Sequence, residues 1–187
     1  MTDKTSAAYG SLSRLNHWLG ALAFSGMIIV GFILSYDVLS RETAGPIRDL
    51  HKATGTLLLL FALWRVSWRL VQGFPPPVPG VPAWQELASR LVHWGMLAAL
   101  LIMPLSGVLM SLIGGRPIDI YGLFLIPPFA ENREAAGLLR QVHGYAAYAL
   151  AGLIALHILA ALKHALIDKD GTLARMLSGK PATVQAS

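Results

Sequence analysis

The sequence contains no cysteine, and only 13% of its 187 residues are charged. The absence of cysteine excludes disulfides, thiolate-bound zinc, iron–sulfur clusters and covalently attached c-type haem. Any metal must therefore bind to histidine or oxygen atoms. The hydrophobic fraction is 55%, whereas soluble domains have about one quarter charged residues. The composition indicates a membrane protein, and no basic tract typical of a nucleic-acid partner is present.

Acidic residues are also absent from four apolar segments. These segments are 17–36, 51–71, 92–113 and 143–164. Each has roughly the 20 residues that an α-helix needs to cross about 30 Å of hydrocarbon. We therefore predict an all-α membrane protein in which residues 1–187 form a single membrane domain, a bundle of four transmembrane helices with up-down-up-down topology.

The first segment follows basic residues, as the apolar part of a secretory signal peptide would. Lys4 and Arg14 precede it. Its apolar run is longer than that of a typical signal peptide, and no cleavage site of the A-x-A type follows it. We expect span 17–36 to remain as a permanent helix.

Lysine and arginine are distributed unequally between the two sides of the predicted bundle. An even number of spans places both termini on one side, together with the linker between the second and third spans. That side has nine basic and four acidic residues, whereas the other side has six of each. The positive-inside rule then predicts that both termini are cytoplasmic. We call the side with the termini the inner side and the opposite side the outer side.

The linkers between the spans are predicted to differ in structure. The outer loop 37–47 ends in Gly45-Pro46, a pair typical of a break ahead of a helix. The inner linker 74–82 contains five prolines, so we expect it to run extended along the surface. Pro104 is predicted to kink the third span.

Two further segments lie outside the spans. The outer segment 114–140 opens with two glycines and holds an apolar run at 120–129. We expect it to form a lid against the membrane surface. The polar C-terminal tail 166–187 is expected to be partly disordered.

All six histidines lie in or at the ends of the predicted spans. Ionisable groups are costly in hydrocarbon and usually have a function there. His143 and His157 on the fourth span are 14 residues apart, which places them within about 40° around the helix and about 21 Å apart along it. One metal ion cannot bind both. Each therefore needs a partner at its own depth, His51 for the outer His143 and His17 for the inner His157.

A pair of histidines from two helices suits haem, because the macrocycle is flat and apolar and two imidazoles fill the axial positions of its iron. The two pairs therefore predict two haem groups stacked through the membrane. Small residues near the histidines leave room for them: Gly20, Ala21, Gly55, Gly144, Ala147, Ala160 and Ala161. The alternative is that these histidines are interfacial or hydrogen-bonded residues of the bundle, which is the common role of a single membrane histidine.

The two remaining histidines, His93 and His164, also lie near the inner side. His93 is predicted at a depth similar to that of His17, so spacing leaves open that it replaces His157 as the inner ligand. Spacing is equally consistent with both histidines lining a site beside the inner haem, or with both being interfacial.

Several segments around the histidines carry a further signal. They are Arg14-Leu-Asn-His17-Trp18, Pro46-Ile-Arg-Asp-Leu-His51-Lys-Ala-Thr-Gly55, Leu91-Val-His93, Pro104-Leu-Ser-Gly107, Val142-His143-Gly144, His157, His164 and Lys169-Asp170-Gly-Thr-Leu-Ala-Arg175-Met176. With these segments the chain resembles the prokaryotic cytochrome b561 family of di-haem, four-helix membrane proteins. The resemblance implies that haem b is bound by His17 with His157 and by His51 with His143, in a multi-pass protein of the bacterial inner membrane.

The resemblance also implies a function. The family includes superoxide oxidases, which take electrons from superoxide at the periplasmic side and pass them through the haems to ubiquinone near the cytoplasmic side. Related bundles are non-catalytic cytochrome subunits that link a separate dehydrogenase to the quinone pool, and family membership alone does not choose between the two. A homo-oligomer is a further possible assembly. A haem-free bundle for metal transport is disfavoured, because the spans lack acidic residues to accompany a cation.

Candidate residues for the two reactions lie at opposite sides. At the outer side, Lys52 directly follows His51 and is the predicted catalytic contact for the superoxide anion. At the inner side, a quinone needs hydrogen-bond donors beside an apolar slot, and His93, His164 and Arg90 are predicted there, with His164 as the catalytic proton donor. The basic residues expected around the outer haem are Arg41, Arg48, Lys52, Arg116, Arg133 and Arg140. Their alternative role is that of ordinary solvated loop charges.

Overall fold

The computed structural model describes residues 9–74, 82–129 and 131–179. Within these ranges, four helices are long and apolar enough to cross a membrane, which confirms the predicted four-helix membrane architecture. The elements in chain order are α1 (Ser11–Ser35), α2 (Arg41–Gln72), α3 (Ala83–Ile113), β1 (Ile118–Ile120), β2 (Phe124–Ile126), α4 (Arg133–Lys163), a π-helical turn (His164–Asp168) and α5 (Thr172–Leu177).

Helix α2 begins before the break that Pro46 predicts. It begins at Arg41, because Ser40 caps it and accepts a hydrogen bond from the backbone N–H of Thr43 at 3.3 Å. Pro46 is then the sixth helical residue, where its missing N–H removes a single hydrogen bond. The predicted outer loop 37–47 is therefore too long, since the helix covers its second half.

The core of the bundle separates its two ends. Leu150 on α4 is fully buried and is seven residues, or about two turns, from both His143 and His157. Many large side chains outside the core are apolar and exposed, as the lipid-facing surface of a membrane bundle requires. The central cluster consists of Phe24, Ile28, Ala62, Leu97, Ala99, Leu100, Met103, Ala146 and Leu150.

The outer segment 114–140 contains a β-hairpin, which the sequence did not predict. Strands β1 and β2 pair antiparallel. Tyr121 and Gly122 at the turn both have positive φ, of 54° and 73°, a backbone that matches the twist of the flanking strands. Ile118 and Ile120 of β1 are 0% and 2% exposed. The buried face of the hairpin packs on the bundle together with Ala53 and Leu112.

Polar contacts attach this hairpin to α2. Lys52 Nζ donates a hydrogen bond to the carbonyl of Pro117 at 3.3 Å, and the hydroxyls of Thr54 and Tyr121 are 2.7 Å apart. The first turns of α4 complete the segment. The region predicted to be a lid is therefore a hairpin fixed to the outer end of α2, followed by a helix.

The C-terminal region is partly helical in the structure. A hydrogen bond links helix α5 to α1, since the indole N–H of Trp18 donates to the carbonyl of Met176 at 3.2 Å. Gly171, with a φ of 78°, precedes α5. The predicted extended linker over 75–81 and the end of the predicted disordered tail, 180–187, lie outside the described residues.

Candidate functional site

His51 on α2 and His143 on α4 form a pair at the outer end of the bundle. Their ring centroids are 6.4 Å apart, and the ring planes cross at 86°. A metal ion bound by one nitrogen of each ring at about 2 Å would separate two opposed ring centroids by about 6.3 Å. The structure thus brings this predicted pair to the separation that one iron ion between the rings requires.

A backbone hydrogen bond fixes the orientation of His143. Its Nδ1 lies 2.8 Å from the carbonyl oxygen of Met103. Because a carbonyl only accepts, Nδ1 carries the proton, and Nε2 is left with a free lone pair. Ser106 Oγ, which donates to the same carbonyl at 2.8 Å, is 3.4 Å from Nδ1. Histidines that bind metals are commonly oriented in this way by a hydrogen bond from the second nitrogen.

Glycines on the neighbouring helices make room for both outer rings. A Cβ atom at Gly107 on α3 would lie 2.9 Å from Cε1 of His143, closer than real Cβ atoms approach. A Cβ atom at Gly31 on α1 would lie 3.4 Å from Cε1 of His51. The absence of a side chain at Gly107 is therefore a condition for the observed position of His143.

The surroundings of the outer pair are apolar, as a flat apolar cofactor requires. A small, open cavity lies beside the two rings and is lined by Phe24, Met27, Gly55, Leu58, Met103 and Pro104. His51 Nδ1 is enclosed and has no hydrogen-bond partner among the described residues. A buried polar atom without a partner is unfavourable. The described residues therefore leave Nδ1 of His51 without the hydrogen bond that it needs.

Three histidines meet at the inner end. The ring centroid of His157 on α4 is 6.0 Å from that of His17 on α1 and 5.4 Å from that of His93 on α3. The first distance is close to the value for two opposed ligands of one metal ion, and the second is shorter. The predicted pair is brought together, and the alternative ligand His93 is its immediate neighbour.

The predicted superoxide contact Lys52 is close to the outer pair in sequence, but its charge is already paired. Its Nζ lies 2.8 Å from Asp49 Oδ1, and the Lys52 side chain is 19% exposed, whereas that of Asp49 is 67% exposed. The carbonyl of Pro117 takes a second hydrogen bond. Lys52 is therefore held in a fixed position, with part of its positive charge offset by a solvent-facing carboxylate.

The three residues predicted for the quinone site have different surroundings. Arg90 is exposed and forms an ion pair with Glu86 one turn earlier on α3. His93 shares a hydrogen bond with the hydroxyl of Ser89 at 3.3 Å and packs against Phe74, with centroids 5.5 Å apart. His93 is thus part of the inner histidine cluster, whereas Arg90 belongs to the helix surface.

His164, the third of these residues, lies at the start of the π-helical turn. Its Nδ1 is 2.7 Å from Asp170 Oδ2 and 3.1 Å from Asp168 Oδ2. Burial alone would raise the pKa of the Asp170 carboxyl, but hydrogen bonds from Thr172 and His164 lower it below its usual value of 3.8. Asp170 therefore stays ionised at neutral pH and orients the imidazole through Nδ1.

The structure shows contacts for several residues to which the spacing of the histidines in the sequence gave no role. The Pro104-Leu-Ser-Gly107 segment supplies the space beside His143, and the preceding Met103 supplies the carbonyl that orients it. At the inner end, Arg65 donates to the buried Asn16 at 2.9 Å. The sequence signal for this contact is weak, because it joins a polar residue at the start of the first span to one in the second span, 49 positions apart.

Comparisons with known proteins identify the family of this chain. The model of the family described as prokaryotic cytochrome b561 matches residues 8–179. Cytochrome b561 homolog 2 of Escherichia coli (strain K12) is 34% identical over 92% of this chain and 93% of its own length. Cytochrome b561 homolog 1 of the same organism is 31% identical, over 86% and 92%.

A third relative is named probable superoxide oxidase CybB, from Yersinia pestis. It is 28% identical over 92% of this chain and 97% of its own length. The family match covers all of the described residues, including all six histidines. This chain therefore belongs to the prokaryotic cytochrome b561 family, the members of which are multi-pass membrane electron-transfer proteins that bind haem b.

Proposed function

We propose that this protein is a superoxide oxidase of the bacterial inner membrane that reduces ubiquinone. Two superoxide ions each lose one electron to give dioxygen at the outer, periplasmic side, and ubiquinone takes up both electrons and two protons at the inner, cytoplasmic side. His51 with His143 and His17 with His157 would hold two haem b groups, which supply the one-electron chemistry.

The observation that carries this proposal is the position of two histidine pairs at opposite ends of α4. The pairs have centroid separations of 6.4 and 6.0 Å, and α4 contributes one histidine to each. Two cofactors in series can hold the two electrons that a quinol requires. The likeness to the relative named probable superoxide oxidase supports the choice of substrate.

At the outer end, Lys52 is the residue proposed to attract the anion. It is held beside His51 in the helix by Asp49 and Pro117. A fixed positive charge near the point of electron transfer raises the local concentration of superoxide without needing to move. The partial neutralisation by Asp49 predicts that this attraction is below its attainable maximum.

At the inner end, His164 is proposed to donate a proton to the reduced quinone. Nδ1 is engaged by two aspartates, so Nε2 is the nitrogen that remains to face a substrate. The aspartates orient the ring through Nδ1, and a proton on Nε2 can pass to a bound quinone. His93 and Arg90 remain proposed neighbours of the same quinone.

An electron-carrier subunit for a separate dehydrogenase is a second candidate function. It is favoured by the exposed apolar tip of the outer hairpin, where Leu123, Phe124 and Leu125 are 81%, 58% and 60% exposed. A partner subunit docked on the outer side would cover such a surface. In that case the purified protein alone would not react with superoxide.

Stopped-flow absorption spectroscopy distinguishes the two functions. The purified, oxidised protein is mixed with superoxide, and the haem bands are followed with and without ubiquinone. Rapid reduction that ubiquinone reverses is the expected result. Haems that stay oxidised in superoxide, in a protein with an intact bis-histidine spectrum, would support the carrier subunit instead.

A further inference from the structure

Three hydrogen-bond donors lie together on the inner half of α2. Trp68 and Arg69 follow Arg65 by three and four residues, so the side chain of each is a neighbour of Arg65 on the helix surface. All three are partly buried. Within the described residues, no carboxylate lies at ion-pair distance from either arginine. We call these three side chains the α2 donor face.

Arg65 is directed into the bundle. One nitrogen of its guanidinium donates to Asn16 Oδ1 at 2.9 Å, and Asn16 is 2% exposed. Its Cδ would lie 3.9 Å from a Cβ atom at Gly20, one turn beyond His17 on α1. One side of the Arg65 guanidinium is thus fixed by Asn16, and its other N–H groups are unpaired among the described residues.

The inner histidines lie within the electrostatic reach of these arginines. The charge of Arg65 acts on His17, His93 and His157. The charge of Arg69 acts on His17 and His93. Arg69 itself donates to the carbonyl of Gly73 at 2.7 Å. Two positive charges therefore stand beside a cluster of imidazoles, with no described anion to balance them.

Trp68 provides an independent sign that an acceptor belongs here. Its indole Nε1 is fully enclosed and has no hydrogen-bond partner among the residues that the structure describes. A buried donor without an acceptor is unfavourable, because it has lost water without replacing it. An anion with several acceptor oxygens would satisfy this N–H and both guanidinium groups together.

We propose that the α2 donor face binds the propionate carboxylates of the inner haem. This inference rests on the proposed binding of that haem by His17 and His157. Haem b carries two propionates, and guanidinium groups pair with carboxylates through two parallel hydrogen bonds. A phospholipid phosphate could satisfy the same donors, and the experiment below separates the two anions.

Propionate binding has a measurable electrostatic consequence. Arginines that neutralise the propionates remove negative charge from beside the iron, which favours its reduced form. They also keep the propionates ionised across neutral pH, so the midpoint potential of the inner haem should hardly depend on pH. Removal of one arginine reverses both effects.

The test is a redox titration of the purified holoprotein, followed by visible absorption at several pH values near neutrality. Arg65→Gln is expected to retain the inner haem and to make its midpoint potential pH-dependent. The potential should also fall by at least about 59 mV, which corresponds to a tenfold change in the ratio of reduced to oxidised haem. Arg65→Lys should restore part of the potential. Trp68→Phe, which removes only the N–H, should produce a smaller shift of the same sign.

Lys169→Gln is the control, because Lys169 is an exposed cation at the same end of the bundle. It should leave the potential of the inner haem unchanged. An unchanged potential in Arg65→Gln and Trp68→Phe, or a lowered potential without new pH dependence, would overturn the proposal. A midpoint potential of the wild-type inner haem that changes when anionic phospholipid is replaced by zwitterionic phospholipid would also overturn it. That result would favour a lipid phosphate as the bound anion. A wild-type protein that lacks the inner haem would instead refute the proposed function.

Discussion

The two ends of the bundle hold similar histidine pairs in different surroundings. At the outer end, His51 and His143 lie among glycines and apolar side chains, and a backbone carbonyl orients His143. At the inner end, a third histidine and two arginines stand beside His17 and His157. The outer end therefore fixes the positions of its two histidines. The inner end also provides positive charges and hydrogen-bond donors, which a quinone that takes up protons requires.

The largest expected effect is the loss of haem when a proposed histidine ligand is replaced. His143→Ala should remove the outer haem, and His157→Ala should remove the inner haem. In each variant only one of the two histidines that would bind the iron remains. His93→Ala should retain both haems. Haem-to-protein ratios and visible spectra of the purified variants measure this. Loss of the inner haem in His93→Ala, with retention in His157→Ala, would assign the ligand role to His93.

The next effect concerns the tight outer end. Gly107→Ala would place a methyl group 2.9 Å from Cε1 of His143, and forced overpacking of this kind costs about 1 to 3 kcal/mol. We expect weaker binding of the outer haem with the inner haem retained. Gly152→Ala on α4 is the control, because a Cβ atom there has no neighbour within 4 Å. Equal haem retention in the two variants would contradict the steric role of Gly107.

Charge at the outer end should change the rate of the reaction with superoxide. Lys52→Glu is expected to slow haem reduction by about tenfold or more at low salt, where steering effects are large. Asp49→Asn should accelerate it, because it removes the carboxylate that offsets the charge of Lys52. Stopped-flow rates at increasing salt concentration check both. A rate in Lys52→Glu that matches the wild type at low salt would remove the steering argument.

The smallest expected effect is a slower reoxidation of the haems by ubiquinone at the inner end. His164→Ala should retain both haems and the rate of reduction by superoxide, while slowing reoxidation by ubiquinone. Asp170→Asn should have the same effect to a lesser extent, because His164 would lose the carboxylate that orients Nδ1. Both rates come from one stopped-flow series. A haem lost from His164→Ala would mean that His164 is a ligand.

The sequence predicted the four helices and the histidines that face each other, since both follow from hydrophobic length and from helical periodicity. It did not predict the outer hairpin, because the strands between Ile118 and Ile126 are short and are stabilised by packing on α2. The orientation of His143 by Met103 was beyond sequence reasoning for a similar reason. A backbone carbonyl carries no residue-type signal, and the contact joins positions 40 residues apart.

The contribution of α4 to both pairs has a consequence for assembly. A single helix carries His143 and His157, so a cofactor bound at either end restrains the position of the ligand for the other. Binding of the two proposed haems is then thermodynamically linked, and each should raise the affinity for the second by the same factor. We expect a chain that has lost one haem to bind the other more weakly but still to retain it.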